Sequence, residues 1–174
     1  MNLLTPRLRL RTFQPGDINP TYMGWLNDPD VTRFSNQRFR QHTAESCAAY
    51  LASFKAGASS FLLIELRVDD WPIGTATVYR DTQHGTADIG LMLGERGHWG
   101  QGYGREAWQA LLEAVLAEPG IRKVTGGTAR PNRAMARIME QSGMVLEAVR
   151  ARQELIDGQP VDLLYYARFA EPAA

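Results

Sequence analysis

Residues Arg7-Leu8-Arg9-Leu10-Arg11 alternate strictly between charged and apolar side chains, which predicts a half-buried strand. Pro15-Gly16-Asp17 ends it. Asp17 is placed to cap a helix that runs to about Leu26, with Tyr22, Trp25 and Leu26 on its apolar face. Asn27-Asp28-Pro29-Asp30 breaks that helix, and a short helical turn is expected over residues 31–34. Residues 35–42 are polar and read as a loop. A further helix starts at Thr43 and carries Cys47, Tyr50, Leu51 and Phe54 at helical spacing; Glu45 sits too early for a full capping box. Residues 61–66 are apolar with little alternation, as in a strand covered on both faces. Turns at Asp69-Asp70 and Gln83-His84-Gly85 separate it from strands over 72–79 and 86–93, an antiparallel meander.

A long helix then reaches about Ala117, with Ala107, Trp108, Leu111, Leu112 and Val115 on one face. The strand over 124–128 is joined to the meander through that helix, so it is expected to run parallel to its predecessor. A helix over 131–142 ends at Gly143, and a hairpin turns at Asp157-Gly158. These elements make one α+β domain over residues 1–174, with a mixed, mostly antiparallel sheet flanked by helices.

Between the meander and the long helix lies Trp99-Gly100-Gln101-Gly102-Tyr103-Gly104-Arg105-Glu106-Ala107. Glycines permit positive φ and close backbone approach. A glycine turn that opens a helix aims several unpaired N–H groups at one point, where the helix dipole favours a phosphate or pyrophosphate. A structural turn is the plainer reading of such a motif taken alone.

Composition narrows the partners. Lys+Arg and Asp+Glu both number 19, so the formal net charge is zero, which argues against nucleic acid as a partner. No run is long enough to span a membrane. Cys47 is the single cysteine, which fits a reducing compartment, and the expected location is the cytoplasm. His42, His84 and His98 show no metal-ligand spacing, so no metal is expected.

With these elements and motifs in order, the chain resembles the Gcn5-related N-acetyltransferase (GNAT) superfamily, and is similar to its Rim-type branch (RimJ/RimL-like) and to relatives acting on small amines. Three segments carry the resemblance: Ala87-Asp88-Ile89-Gly90-Leu91, Trp99-Gly100-Gln101-Gly102-Tyr103-Gly104, and Asn132-Arg133-Ala134-Met135 with Gly143-Met144. The resemblance implies acetyl transfer from acetyl-CoA to a primary amine, a small molecule or a protein N-terminus, in a direct ternary complex. It also implies that the turn of Trp99, Gly100, Gln101, Gly102, Tyr103, Gly104 and Arg105 binds the cofactor, with the backbone N–H groups of Gln101 through Arg105 on the pyrophosphate, and that Leu91, Met92 and Leu93 meet the pantetheine arm. Trp99 departs from the superfamily's Arg or Gln at the first motif position. Asn132 reads either as a contact to the cofactor arm or as a helix cap.

Asp88 lies eleven residues before Trp99, where several superfamily members place a catalytic glutamate. It is the candidate base; a solvated acid on a strand is the alternative. The family's general acid does not carry over, because its Tyr and Ser positions hold Met139 and Met135. Tyr103, Tyr165 and Tyr166 are candidate replacements or packed aromatics. The first helices and their loop wall the acceptor site in this family, which makes Trp25, Arg33, Arg38 and Phe39 candidate acceptor contacts. Trp25 also reads as core, and the two arginines also read as exposed loop residues. A homodimer is common among relatives, and the last hairpin offers an edge for one.

Two other readings compete. A non-catalytic acyl-CoA-binding or sensing domain would keep the turn and lose the chemistry. A dinucleotide-binding protein is disfavoured, because Arg105 stands where the third glycine of Gly-x-Gly-x-x-Gly belongs.

Overall fold

The computed structural model describes residues 1–55 and 57–170. Eight strands form one sheet: β1 (Asn2–Leu4), β2 (Leu8–Thr12), β3 (Ser60–Leu66), β4 (Pro72–Asp81), β5 (Thr86–Leu93), β6 (Lys123–Ala129), β7 (Val145–Ile156) and β8 (Gln159–Phe169). Their order is β1-β2-β3-β4-β5-β6-β8-β7. Every pair is antiparallel except β5–β6, which is parallel. The helices are α1 (Pro20–Asn27), α2 (Pro29–Thr32), α3 (Ala44–Ser53), α4 (Tyr103–Leu116) and α5 (Arg133–Gln141).

The sheet has a core on each face. On one, Trp108, Leu111, Leu112 and Val115 of α4 and Met139 of α5 pack on Leu8, Leu10, Ile64, Val78 and Ile89. On the other, α1 and α3 bring Tyr22, Trp25, Leu26 and Cys47 onto Phe13, Phe61 and Leu63. Central β3 is therefore buried along nearly its whole length, as its unbroken apolar run requires.

Several local expectations are corrected. Strand β1 was not foreseen, since three residues give no periodicity to read; Leu3 packs against the core beside β2. Asp17 does not cap α1. It receives the Gln14 amide at 2.7 Å and two hydrogen bonds from Arg11 at 2.8 Å, while Asn19 caps α1 through the Tyr22 amide, ahead of Pro20. Burial pushes the Asp17 carboxyl up, but Arg11 and the Gln14 amide hold it below its ordinary value. Helix α2 starts earlier than expected, because Asp28 caps it through Asp30. The capping box of α3 is closed by the Ser46 hydroxyl in place of an acid.

Candidate functional site

Strands β5 and β6 pair only over Thr86–Lys123, Ala87–Val124 and Asp88–Thr125. Both continue beyond, β5 to Leu93 and β6 to Ala129, so the parallel pair opens into a V with Asp88 and Thr125 at its apex. Two glycines follow Thr125. A Cβ on Gly126 would stand 2.7 Å from the Trp108 ring, and one on Gly127 would stand 3.2 Å from the Tyr165 ring.

The free edge of β5 follows from its other neighbour. The Gly94 amide donates to the Ile73 carbonyl at 2.9 Å, so alternation pairs Met92, Gly90 and Asp88 with β4. The peptide groups of Ile89, Leu91 and Leu93 then face the gap. The Trp99 indole N–H donates to the Leu93 carbonyl at 2.9 Å, leaving those of Ile89 and Leu91. Met92 differs from its flanking leucines, because its peptide groups belong to the β4 ladder.

At the mouth of the V, Gly100 and Gly102 take φ of 73° and 82°. Gly102 is the N-cap of α4. The amides of Gly100, Gln101, Gly102, Tyr103, Gly104 and Arg105 donate to no protein acceptor among the described residues, and regular bonding starts with Glu106 to the Gly102 carbonyl. A Cβ on Gly104 would lie 3.3 Å from both Ile138 and Leu93, so glycine brings the helix start close to the gap. Arg7 braces the turn. It donates to the Gln101 carbonyl at 3.0 Å and to Glu106 at 2.6 Å, and it lies 4.2 Å over the Tyr103 ring. Burial pushes the Glu106 carboxyl up, but the Thr5 hydroxyl and the Arg7 amide and guanidinium outweigh that and hold it below its ordinary value.

Asp88 lies in a solvent-open recess with Tyr79, Arg80, Lys123 and Thr125. Surrounding protein pushes its carboxyl up, and a 2.7 Å hydrogen bond from the Thr125 hydroxyl opposes the rise without cancelling it. On the same face a cavity of about 310 Å³ separates α1 and α3 from β4 and β5. Tyr22, Leu26, Tyr50, Phe61 and Met92 give it apolar walls; Thr75, Thr77, Gly90 and Leu91 form its floor; Gln37, Arg40, Gln41 and His42 close its loop end. The Tyr50 hydroxyl meets that of Tyr79, the β4 partner of Asp88, at 2.7 Å.

Residues 7–145 match the family described as an acetyltransferase (GNAT) domain. The chain belongs to the GNAT acetyltransferase family. It is 28% identical over 174 residues to the uncharacterized N-acetyltransferase p20 of Bacillus licheniformis, covering 93% of this chain and 95% of that one. Its fold matches RimL, a ribosomal L7/L12 alpha-N-protein acetyltransferase solved in complex with coenzyme A, with a TM-score of 0.86 at 18% identity over 99% of this chain and all of that one. It also matches spermidine N-acetyltransferase from Vibrio cholerae, solved with CoA and spermine, with a TM-score of 0.83 at 16% identity over 95% and 97% of the two chains.

Within this GNAT domain the residues expected at the acceptor do not gather. Trp25 is 6% exposed, in the core with Tyr22, and its ring fills the space a Cβ on Gly94 would need. Arg33 pairs with Asp157 at 2.7 Å, and Arg38 donates to the Ser35 carbonyl at 2.7 Å and the Leu155 carbonyl at 2.9 Å. Both arginines thus tie the loop to the tip of the β7–β8 hairpin, away from the cavity lining. Phe39 lies under Arg38 and is 70% exposed. The helix capping read for Asn132 is present: its side chain accepts the Met135 amide at 3.3 Å.

The candidate acids are also placed. Met139, at the family's Tyr position, is fully buried; the Tyr166 hydroxyl donates to Glu140 at 2.9 Å, Tyr103 stacks under Arg7, and Tyr165 lies under Arg150 with its ring beside Gly127. The structure adds Thr125 and Tyr79 beside Asp88, and Arg40 and His42 at the cavity, none of which sequence reasoning had singled out for a site. Alternation in β4 and β6 could have found the first two; nothing in the polar loop marked the others. No three His, Cys, Asp or Glu side chains among the described residues gather as a metal site. No described helix is long and apolar enough to cross a membrane.

Proposed function

We propose that this protein is an acetyl-CoA-dependent N-acetyltransferase, similar to the Rim-type enzymes, which acetylates a primary amine in a direct ternary complex in the cytoplasm. One observation carries the reading: the unpaired amides of residues 100–105 and the unpaired peptide groups of Ile89 and Leu91 line one opening in the sheet. These groups fit coenzyme A. The amides and the α4 dipole suit a pyrophosphate, and the β5 edge suits the amide-bearing pantetheine arm as an added strand. Two structures of the same fold are CoA complexes.

When bound, acetyl-CoA supplies the acetyl group as a thioester. The Leu91 amide, fixed in the sheet, is placed to polarise a carbonyl oxygen in the gap. Asp88 takes the proton of the acceptor amine through a water, since its side chain is short, and its raised carboxyl makes it the stronger base. The Thr125 hydrogen bond fixes the carboxylate. No protein acid is assigned to the leaving thiolate, which is stable enough to depart unaided at neutral pH.

Met135 and Met139 in the family's acid positions favour a second reading, a domain that binds acyl-CoA without turnover. Thermal unfolding with acetyl-CoA, CoA and NAD, followed by thiol release with an amine panel, separates them. Saturation at 100 times Kd adds about 2.7 kcal/mol of stability. A shift with both CoA forms and thiol release supports the enzyme. A shift without release for any amine supports the binding domain, and no shift with either CoA form sinks both.

A further inference from the structure

The acceptor cavity is polarised. Its floor on β4 and β5 lies beside Asp88, two residues along the strand from Gly90, while Arg40, Gln41 and His42 line its loop side, where Arg40 and Gln41 are exposed. Arg40 belongs to none of the ion pairs among the described residues. The segment is held in place. Asn27 of α1 accepts the His42 amide at 2.8 Å and donates to the His42 carbonyl at 2.9 Å, and the Arg40 amide donates to the Gln37 carbonyl at 3.1 Å. His42 Nε2 lies 3.1 Å from the Gln37 carbonyl. A carbonyl only accepts, so Nε2 carries the hydrogen, and in the neutral ring Nδ1 keeps a lone pair that accepts.

No Asp or Glu lines this cavity. A polyamine needs carboxylates along its length to offset the loss of water from each ammonium. The exposed Arg40 guanidinium, with five donors and no side-chain partner among the described residues, stands with Gln37 and Gln41 in this lining and suits an oxyanion instead. At about 310 Å³ the space matches one small molecule, at the lower end of ligand cavities.

We infer that the acceptor is a small primary amine that also carries an oxyanion, a carboxylate or a phosphate, and that Arg40 binds that anion at the loop side of the cavity. The amine end then lies on the floor, toward Asp88 and the opening of the V. The inference rests on the acetyltransferase reading above.

The test uses the CoA-saturated protein and two matched pairs of probes, glucosamine 6-phosphate against glucosamine and phenylalanine against phenethylamine. Spermidine is the cationic control. Affinities are measured by calorimetry, with thiol release from acetyl-CoA as a second readout. In at least one pair the anionic member binds about tenfold tighter or more, as expected for a charge-assisted contact, and the pair that shows it names the anion. Arg40→Gln removes the difference and leaves CoA affinity unchanged. Equal affinities within both pairs, a difference that survives in Arg40→Gln, or tighter binding of spermidine than of both anionic probes would overturn the inference. Loss of CoA binding in the wild-type protein would instead overturn the acetyltransferase reading itself.

Discussion

The proposed cofactor and acceptor sides of the groove are built by different means. The cofactor side is made of backbone: six unpaired amides at the start of α4 and the free edge of β5 where β6 turns away. The acceptor side is made of side chains drawn from α1, α3, the 35–42 loop, β3, β4 and β5. A backbone receptor depends on where the chain bends, so it tolerates a departure such as Trp99, whose indole braces β5. A side-chain receptor depends on which residues neighbouring elements bring together, and its specificity can change without a change of fold.

Asp88→Asn makes the sharpest cut between the two sides. As the proposed base, its loss should lower kcat about 100-fold or more while CoA affinity stays unchanged. Activity retained in full would remove Asp88 from the mechanism. The wild-type rate should fall as pH drops through the raised Asp88 carboxyl. Stability follows the opposite course. A carboxyl raised in the folded state contributes stability at low pH that is lost as pH rises through the folded pKa. Asp88→Asn should therefore unfold at a slightly higher temperature than wild type at pH 7, the difference being muted by solvent in this open recess, and the gap should close in acid.

Gly102→Ala attacks the backbone side alone. Gly102 has φ of 82°, where a Cβ costs about 1–2 kcal/mol. CoA should bind about tenfold more weakly, since 1.4 kcal/mol is a factor of ten, with the ranking of acceptors unchanged. A change in that ranking would show that the two sides are coupled. Arg7→Ala is a gentler form of the same test. Arg7 ties the turn to β2 from a half-exposed position, so a loss of several-fold in CoA affinity, within about 1 kcal/mol, is expected from titration calorimetry.

The smallest effect is expected at Arg33. Its pair with Asp157 is exposed on both partners, so Arg33→Ala should change stability by less than about 1 kcal/mol, which keeps the change in Tm below about 4 °C. The acceptor KM should not move. A large rise in that KM would return Arg33 to the acceptor site and break the contrast.

How much of this was legible in sequence follows the same division. The strict alternation of Arg7 to Arg11, the unbroken run of β3, the Asp157-Gly158 turn and the parallel crossover into β6 were all readable, because each is set by local periodicity or by glycine. The cap of α1 was misplaced by two residues, since Asp17 and Asn19 are both good caps and only the Arg11 pair decides between them. The placement of the arginines was hidden for a related reason. Arg33 after the short helical turn and Arg38 and Arg40 in the polar stretch carry no local mark that separates them, and only the fold takes two of them to the β7–β8 tip and leaves the third at the cavity.

The sequence alone determined an α+β chain with a glycine turn opening a helix behind a meander, because turn geometry and hydrophobic period act over a few residues. The tertiary structure decided the rest. It opened the V after Asp88–Thr125, turned the Leu91 peptide into the gap and Met92 out of it, and sank Trp25 into the core. Those outcomes depend on pairing register and packing between elements far apart in the chain, which no local pattern encodes.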